Sequence, residues 1–181
     1  MQRVLVVGIS GAGKSTLARV LGRRLRIPYV ELDALHHGPN WTKRPSFEAE
    51  VQAFSAQPAW VTDSVGYSSV RDLLWHRADT IVWLDLARPV VMGRVIARSV
   101  ARATDRRELW NGNRESVRHW VDPEHPIRWA WSQHAPRREL IANRLADPCS
   151  AHLQVVHLRT PAEVAQWLAG IEPRHRPPHQ P

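Results

Sequence analysis

The stretch Gly8-Ile9-Ser10-Gly11-Ala12-Gly13-Lys14-Ser15-Thr16 follows the apolar run at 4–7 and opens a stretch of helical spacing at 14–25. It matches G-x-x-x-x-G-K-[ST] in full, and a strand before and a helix after are the context in which that pattern carries a mechanism. The glycines let backbone N–H groups turn inward around phosphate oxygens, and the following helix presents its positive N-terminus. The lysine reaches the β- and γ-phosphates, and the next hydroxyl offers an oxygen to magnesium. Gly8, Ser10, Gly11, Ala12, Gly13, Lys14, Ser15 and Thr16 are therefore the expected contacts to the phosphates of ATP, with Ser15 also on Mg2+. The dinucleotide-binding fingerprint does not fit, because Gly11-Ala12-Gly13 runs into Lys-Ser-Thr without a third glycine. The loop by itself does not choose between a kinase, a hydrolytic switch and a motor.

Outward from the loop, β-branched apolar runs at 4–7, 27–32, 60–62, 80–84 and 153–158 alternate with stretches of helical spacing at 14–25, 70–76, 90–103, 127–145 and 162–168. Strands that read as continuous apolar runs between helices predict an α/β fold, a parallel sheet covered on both faces. The connection from 87 to 151 is far longer than a simple crossover and is rich in Arg, Trp and Asn. Long connections of this kind serve as lids or binding elements, so a helical lid insertion is expected at about 88–150. One domain is expected over 1–171, with a disordered tail at 172–181, where prolines and histidines lack apolar periodicity.

The chain has 181 residues, of which 43% are hydrophobic and 23% charged, enough apolar content for a core and too much for wholesale disorder. Its one cysteine, Cys149, cannot form an internal disulfide, and no CxxC pair offers a zinc or dithiol site. No run approaches the ~18 apolar residues of a membrane span, so a cytoplasmic protein is expected. The formal net charge of +8 comes almost wholly from arginine, since Lys14 and Lys43 are the only lysines. A guanidinium-rich surface suits phosphates, although most charged residues simply face water.

Two carboxylates follow apolar runs, Asp33 and Asp63, and in an open parallel sheet ligands sit beyond the carboxyl ends of the strands. Asp63 is the candidate magnesium ligand and Asp33 the candidate residue that orients an acceptor hydroxyl for in-line attack. Asp85, at the end of the fourth run, reads as a structural residue. His36, Trp41 and Arg71 are further candidates for the acceptor pocket. Arg94, Arg98, Arg102 and Arg106 recur every four residues along one helical stripe. Such a stripe can cover a triphosphate and stabilise the transferring phosphoryl group, lie along a nucleic-acid backbone, or face solvent. Trp110, Trp120, Trp129 and Trp131 can close over a base or give a small lid its own core, and the second reading is expected for most of them.

Together, Gly8 to Thr16, Glu31-Leu32-Asp33, Gly38-Pro39-Asn40-Trp41, Tyr67-Ser68-Ser69-Val70-Arg71, Glu108 to Glu115 and Ile127-Arg128-Trp129-Ala130-Trp131 resemble the nucleoside-monophosphate-kinase branch of P-loop proteins. Within that branch they more closely resemble small bacterial adenylate-kinase-like proteins, also called DNA topology modulation proteins. The resemblance implies a three-layer P-loop fold with a five-stranded parallel sheet in the order 2-3-1-4-5. It implies Asp63 near magnesium and Arg94 and Arg98 as the paired arginines entering the lid. His36 stands where adenylate kinases carry an arginine, and Asp63 is followed by Ser64 rather than glycine. Both departures weaken the case for AMP specifically, and an acceptor with a hydroxyl would make Asp33 the candidate base.

The expected activity is transfer of phosphate from ATP, with Mg2+, to a small molecule, either a nucleoside monophosphate or a hydroxylated metabolite. Lys14, Asp33, Arg94, Arg98 and Arg102 are the expected catalytic residues. The alternative is a nucleotide-controlled nucleic-acid-binding protein, for which charge speaks but no helix-turn-helix or other reading motif does. Lys14→Ala is expected to abolish nucleotide turnover while leaving the fold intact, as read by ADP release and far-UV circular dichroism.

Overall fold

Five parallel strands form one sheet: β1 (Arg3–Gly8), β2 (Tyr29–Val30), β3 (Trp60–Asp63), β4 (Thr80–Leu84) and β5 (Gln154–Leu158), in the order β2-β3-β1-β4-β5. This is the order that the resemblance implies. The protein is seen in a computed structural model that describes residues 1–63, 66–105 and 126–173, with side chains described for all of these except 102–105 and 126. The stretch 106–125, with Arg106, Trp110 and Trp120, and the tail from 174 onward lie outside the described residues.

Helices α1 (Lys14–Leu25), α2 (Leu32–His36), α3 (Phe47–Ser55), α4 (Ser68–Arg77), α5 (Arg88–Asp105), α6 (Pro126–Ala146) and α7 (Pro161–Ala169) cover the two faces. The central strand shows why both faces need cover. Along β1, Val4 and Val6 enter one apolar cluster with Leu17 and Leu21 of α1 and Val91 and Val95 of α5. Leu5 and Val7 enter the other, with Phe47 and Val51 of α3, Val70 and Leu74 of α4 and Ile141 of α6. All four β1 residues are at most 1% exposed. Because strand side chains alternate between faces, such a run demands a layer on each side, and each fully buried Val, Leu or Phe contributes about 1.5–3 kcal/mol. Two indoles buried in the second cluster keep their donors satisfied, Trp60 Nε1 on the Ser55 carbonyl at 3.1 Å and Trp75 Nε1 on Ser150 Oγ at 2.8 Å.

Two elements differ from the sequence reading. The apolar run 27–32 yields a strand of only two residues, because Pro28 has no N–H for the ladder and the buried Leu32 already begins α2. Asp33 therefore stands in the first turn of a short helix rather than at a strand end. Helix α3 was not anticipated; its buried Phe47, Val51 and Ser55 lie four apart among Glu48, Glu50 and Gln52. The nearly buried Asp85 carboxylate takes Nε of Arg138 at 2.9 Å and Nε2 of His157 at 2.9 Å, tying α6 and β5 to the end of β4. His157 in turn stacks on Trp83 with centroids 4.1 Å apart.

The loop between β1 and α1 depends on α5 lying against it. Gly11 has φ +84°, and a Cβ there would fall 2.3 Å from Val95 Cγ2. Gly13 takes the left-handed conformation that starts α1. Gly11→Ala should therefore lose about 2–4 kcal/mol of stability through strain and overpacking, seen as a lower urea midpoint with an unchanged slope.

Candidate active site

At the carboxyl ends of the strands the loop lines a cavity of about 720 Å³. α1 carries no acidic residue in its first turn, so the positive end of its dipole faces the loop without an internal counter-charge. Gly8, Ser10, Gly11, Gly13, Lys14, Ser15 and Thr16 all line this cavity. Ala12 does not: its N–H donates to the Ile9 carbonyl at 3.1 Å, a turn that closes the loop on itself. Its carbonyl takes Nη1 of Arg94 at 2.9 Å.

Lys14 Nζ donates to the Ile9 carbonyl at 3.2 Å, inside the curl of the loop. Desolvation holds the Lys14 pKa below the ordinary lysine value, and the carboxylates of Asp63 and then Asp33 pull the other way. Asp63, 7% exposed at the end of β3, accepts from Ser15 Oγ at 2.6 Å on one oxygen and from Tyr29 Oη at 2.9 Å on the other. Burial pushes the Asp63 carboxyl up to about 6, against the opposing pull of Ser15, Lys14 and Tyr29. Its position follows from β3, whose register sets Asp63 beside Val6 of β1, two residues before the loop begins.

Asp33 also lines the cavity, and its Oδ1 accepts from Tyr67 Oη at 2.6 Å. From α5, Arg94 and Arg98 both reach the loop, Arg98 through Nη2 on Ser10 Oγ at 3.3 Å. They sit one turn apart on the face that also buries Val91 and Val95, so apolar packing aims them. The Arg102 side chain lies outside the described residues.

Three candidates for the acceptor pocket are absent from the cavity lining. His36 is stacked on Tyr67, with centroids 4.2 Å apart, and meets Phe47 edge-on at 4.9 Å; its Nδ1 is buried without a hydrogen-bond partner among the described residues. Trp41 projects from a 3-10 turn at 43% exposure and touches His37. Arg71 lies on α4 in the field of Arg144 and Asp72. Conversely, Arg19, Glu31, Tyr67, Trp129 and Arg137 line the cavity. A signal for Arg19 existed, since it follows Ser15 by four residues on α1; Arg137 and Trp129 are brought in only by the course of α6.

The donor set suits a divalent cation beside a triphosphate. Ser15 Oγ and the Asp63 carboxylate are hard oxygen ligands already within 2.6 Å of each other, at the foot of a glycine loop. No cluster of three or more His, Cys, Asp or Glu side chains forms a separate metal site among the described residues. No helix among them is long and apolar enough to cross a membrane.

No family model matches the chain. A shikimate kinase of Pseudomonas syringae pv. syringae (strain B728a) is 28% identical over 180 residues, covering 98% of this chain and 90% of that protein. The structure of a shikimate kinase from Acinetobacter baumannii in complex with shikimate has a TM-score of 0.54 at 15% identity, over 94% of this chain and 90% of that one. A gluconokinase from Sinorhizobium meliloti 1021 has a TM-score of 0.50 at 19% identity, over 93% and 91%. With its phosphate loop, its sheet order and these relatives, the chain is a P-loop kinase of the small-molecule type. The comparisons lend no support to the nucleic-acid-binding alternative.

Proposed function

We propose that this P-loop kinase transfers the γ-phosphoryl group of Mg-ATP to a hydroxyl of a small hydroxylated acid. The observation that carries the reading is that Asp33 lines the same cavity as Lys14 and the loop, and that Arg137 lines it too. The similarity to shikimate kinases and the likeness in fold to a gluconokinase support an acceptor that is both hydroxylated and acidic. A nucleoside monophosphate fits less well, because His36 is spent in an aromatic stack and supplies no cation to the cavity.

In this reading the loop amides and Lys14 hold the β- and γ-phosphates, while Asp33 accepts the hydrogen of the acceptor hydroxyl and aligns its oxygen for attack. Ser15 and Asp63 would hold magnesium, which supplies charge neutralisation at the phosphates. Arg94 and Arg98, fixed to the loop from α5, stabilise charge on the transferring group and exclude water. Arg137 meets the acid group of the acceptor.

ADP release from Mg-ATP should rise with one member of a panel of hydroxylated acids and not with nucleoside monophosphates, the Lys14→Ala variant serving as blank. Stimulation by a nucleoside monophosphate alone would overturn the acceptor assignment, and stimulation by DNA alone would restore the nucleic-acid reading. In the same assay Arg98→Ala should lower kcat by about 10³-fold. An unchanged rate would reduce the arginine stripe to a surface feature.

A further inference from the structure

The chain contains two tyrosines, Tyr29 and Tyr67, and each gives its hydroxyl hydrogen to one of the two aspartates on the cavity wall. The Asp33 contact is the shorter, at 2.6 Å, in the range of a hydrogen bond to an ionised carboxylate. Asp33 stands in a five-residue helix of which only Leu32 is buried, so α2 alone gives its side chain little to rest on. Tyr67, by contrast, is held on both sides. Its ring stacks on His36 at an interplanar angle of 25° and meets the fully buried Phe47 at a centroid distance of 5.1 Å. Its Oη also lies 3.4 Å from His37 Nε2. Burial and the neighbouring Asp33 raise the phenol pKa far above its ordinary value, so the hydroxyl remains a donor.

A phenol has one hydrogen to give, and here it goes to Oδ1 of Asp33. Oδ2 is left as the oxygen able to accept from an incoming hydroxyl. We propose that Tyr67 is a positioning residue for phosphoryl transfer: anchored by His36 and Phe47, its hydroxyl fixes the rotation of the Asp33 carboxylate so that Oδ2 meets the acceptor hydroxyl. The proposal rests on the kinase reading above. It gives His36 a role outside the cavity, as part of the aromatic support behind Tyr67. A carboxylate free to rotate would spend most of its time misaligned, and misplacement of about 1 Å at a reacting centre can cost on the order of 10²-fold in rate.

Tyr67→Phe keeps the ring and its stack and removes only Oη. In the ADP-release assay with a stimulating hydroxylated acid, kcat should fall by about 10- to 100-fold, with KM for ATP and the melting temperature unchanged. A residue that merely packs would instead move the melting temperature and leave kcat alone. Asp33→Asn and the double variant complete the test: if Tyr67 acts through Asp33, Tyr67→Phe costs nothing further in the Asp33→Asn background. An unchanged kcat in Tyr67→Phe, or losses that multiply in full in the double variant, overturns the proposal alone. Absence of acceptor-dependent ADP release from the wild-type protein with every hydroxylated acid overturns the kinase reading and this proposal together.

Discussion

The approach of α5 to the phosphate loop is the contact on which the site depends. Gly11 has no side chain where Val95 sits, and that missing Cβ lets a helix of 18 residues lie against the phosphate loop. Any other residue would push α5 away and take Arg94 and Arg98 with it, since both reach the loop by hydrogen bonds to Ala12 and Ser10. The same buried Val91 and Val95 that join the core therefore set where two guanidinium groups stand. Packing at this point is also electrostatic design, because apolar burial supplies the free energy that holds like charges beside one another.

Around that contact the cavity gathers opposing charges. Lys14, Arg19, Arg94, Arg98 and Arg137 line it together with Asp33, Asp63 and Glu31. Asp63 and Asp33 oppose the burial that lowers the Lys14 pKa, and Ser15, Lys14 and Tyr29 oppose the burial that raises that of Asp63. Each aspartate also has a tyrosine donor. Such a network suits a site that must receive a polyanion and a small polar acceptor without large rearrangement of its own dipoles.

Much of this was legible in the chain order. The loop motif, the five apolar runs and the α/β class follow from local rules, and the loop places Lys14 and Ser15 without knowledge of any distant residue. Asp63 could be marked because it ends a strand, and Arg94 and Arg98 because of their spacing. Helix α3 escaped because the apolar positions Phe47 and Val51 are sparse among acids and glutamine, a pattern that only its packing against α2 and α4 explains. His36, Trp41 and Arg71 looked suitable for an acceptor by residue type alone, yet side-chain direction takes them elsewhere: His36 into an aromatic stack, Trp41 towards solvent, Arg71 beside Asp72 and Arg144.

The sequence by itself determined the phosphate loop, the parallel α/β architecture and the arginines that accompany the loop, because each is encoded in a short window whose spacing dictates its own geometry. The tertiary structure decided which residues join Asp33 in the cavity lining. Tyr67 meets Asp33 across 34 residues of chain, and Arg137 arrives on a helix separated from the loop by more than a hundred. Contacts between such distant residues depend on the crossing of whole helices over the sheet, which no local periodicity records.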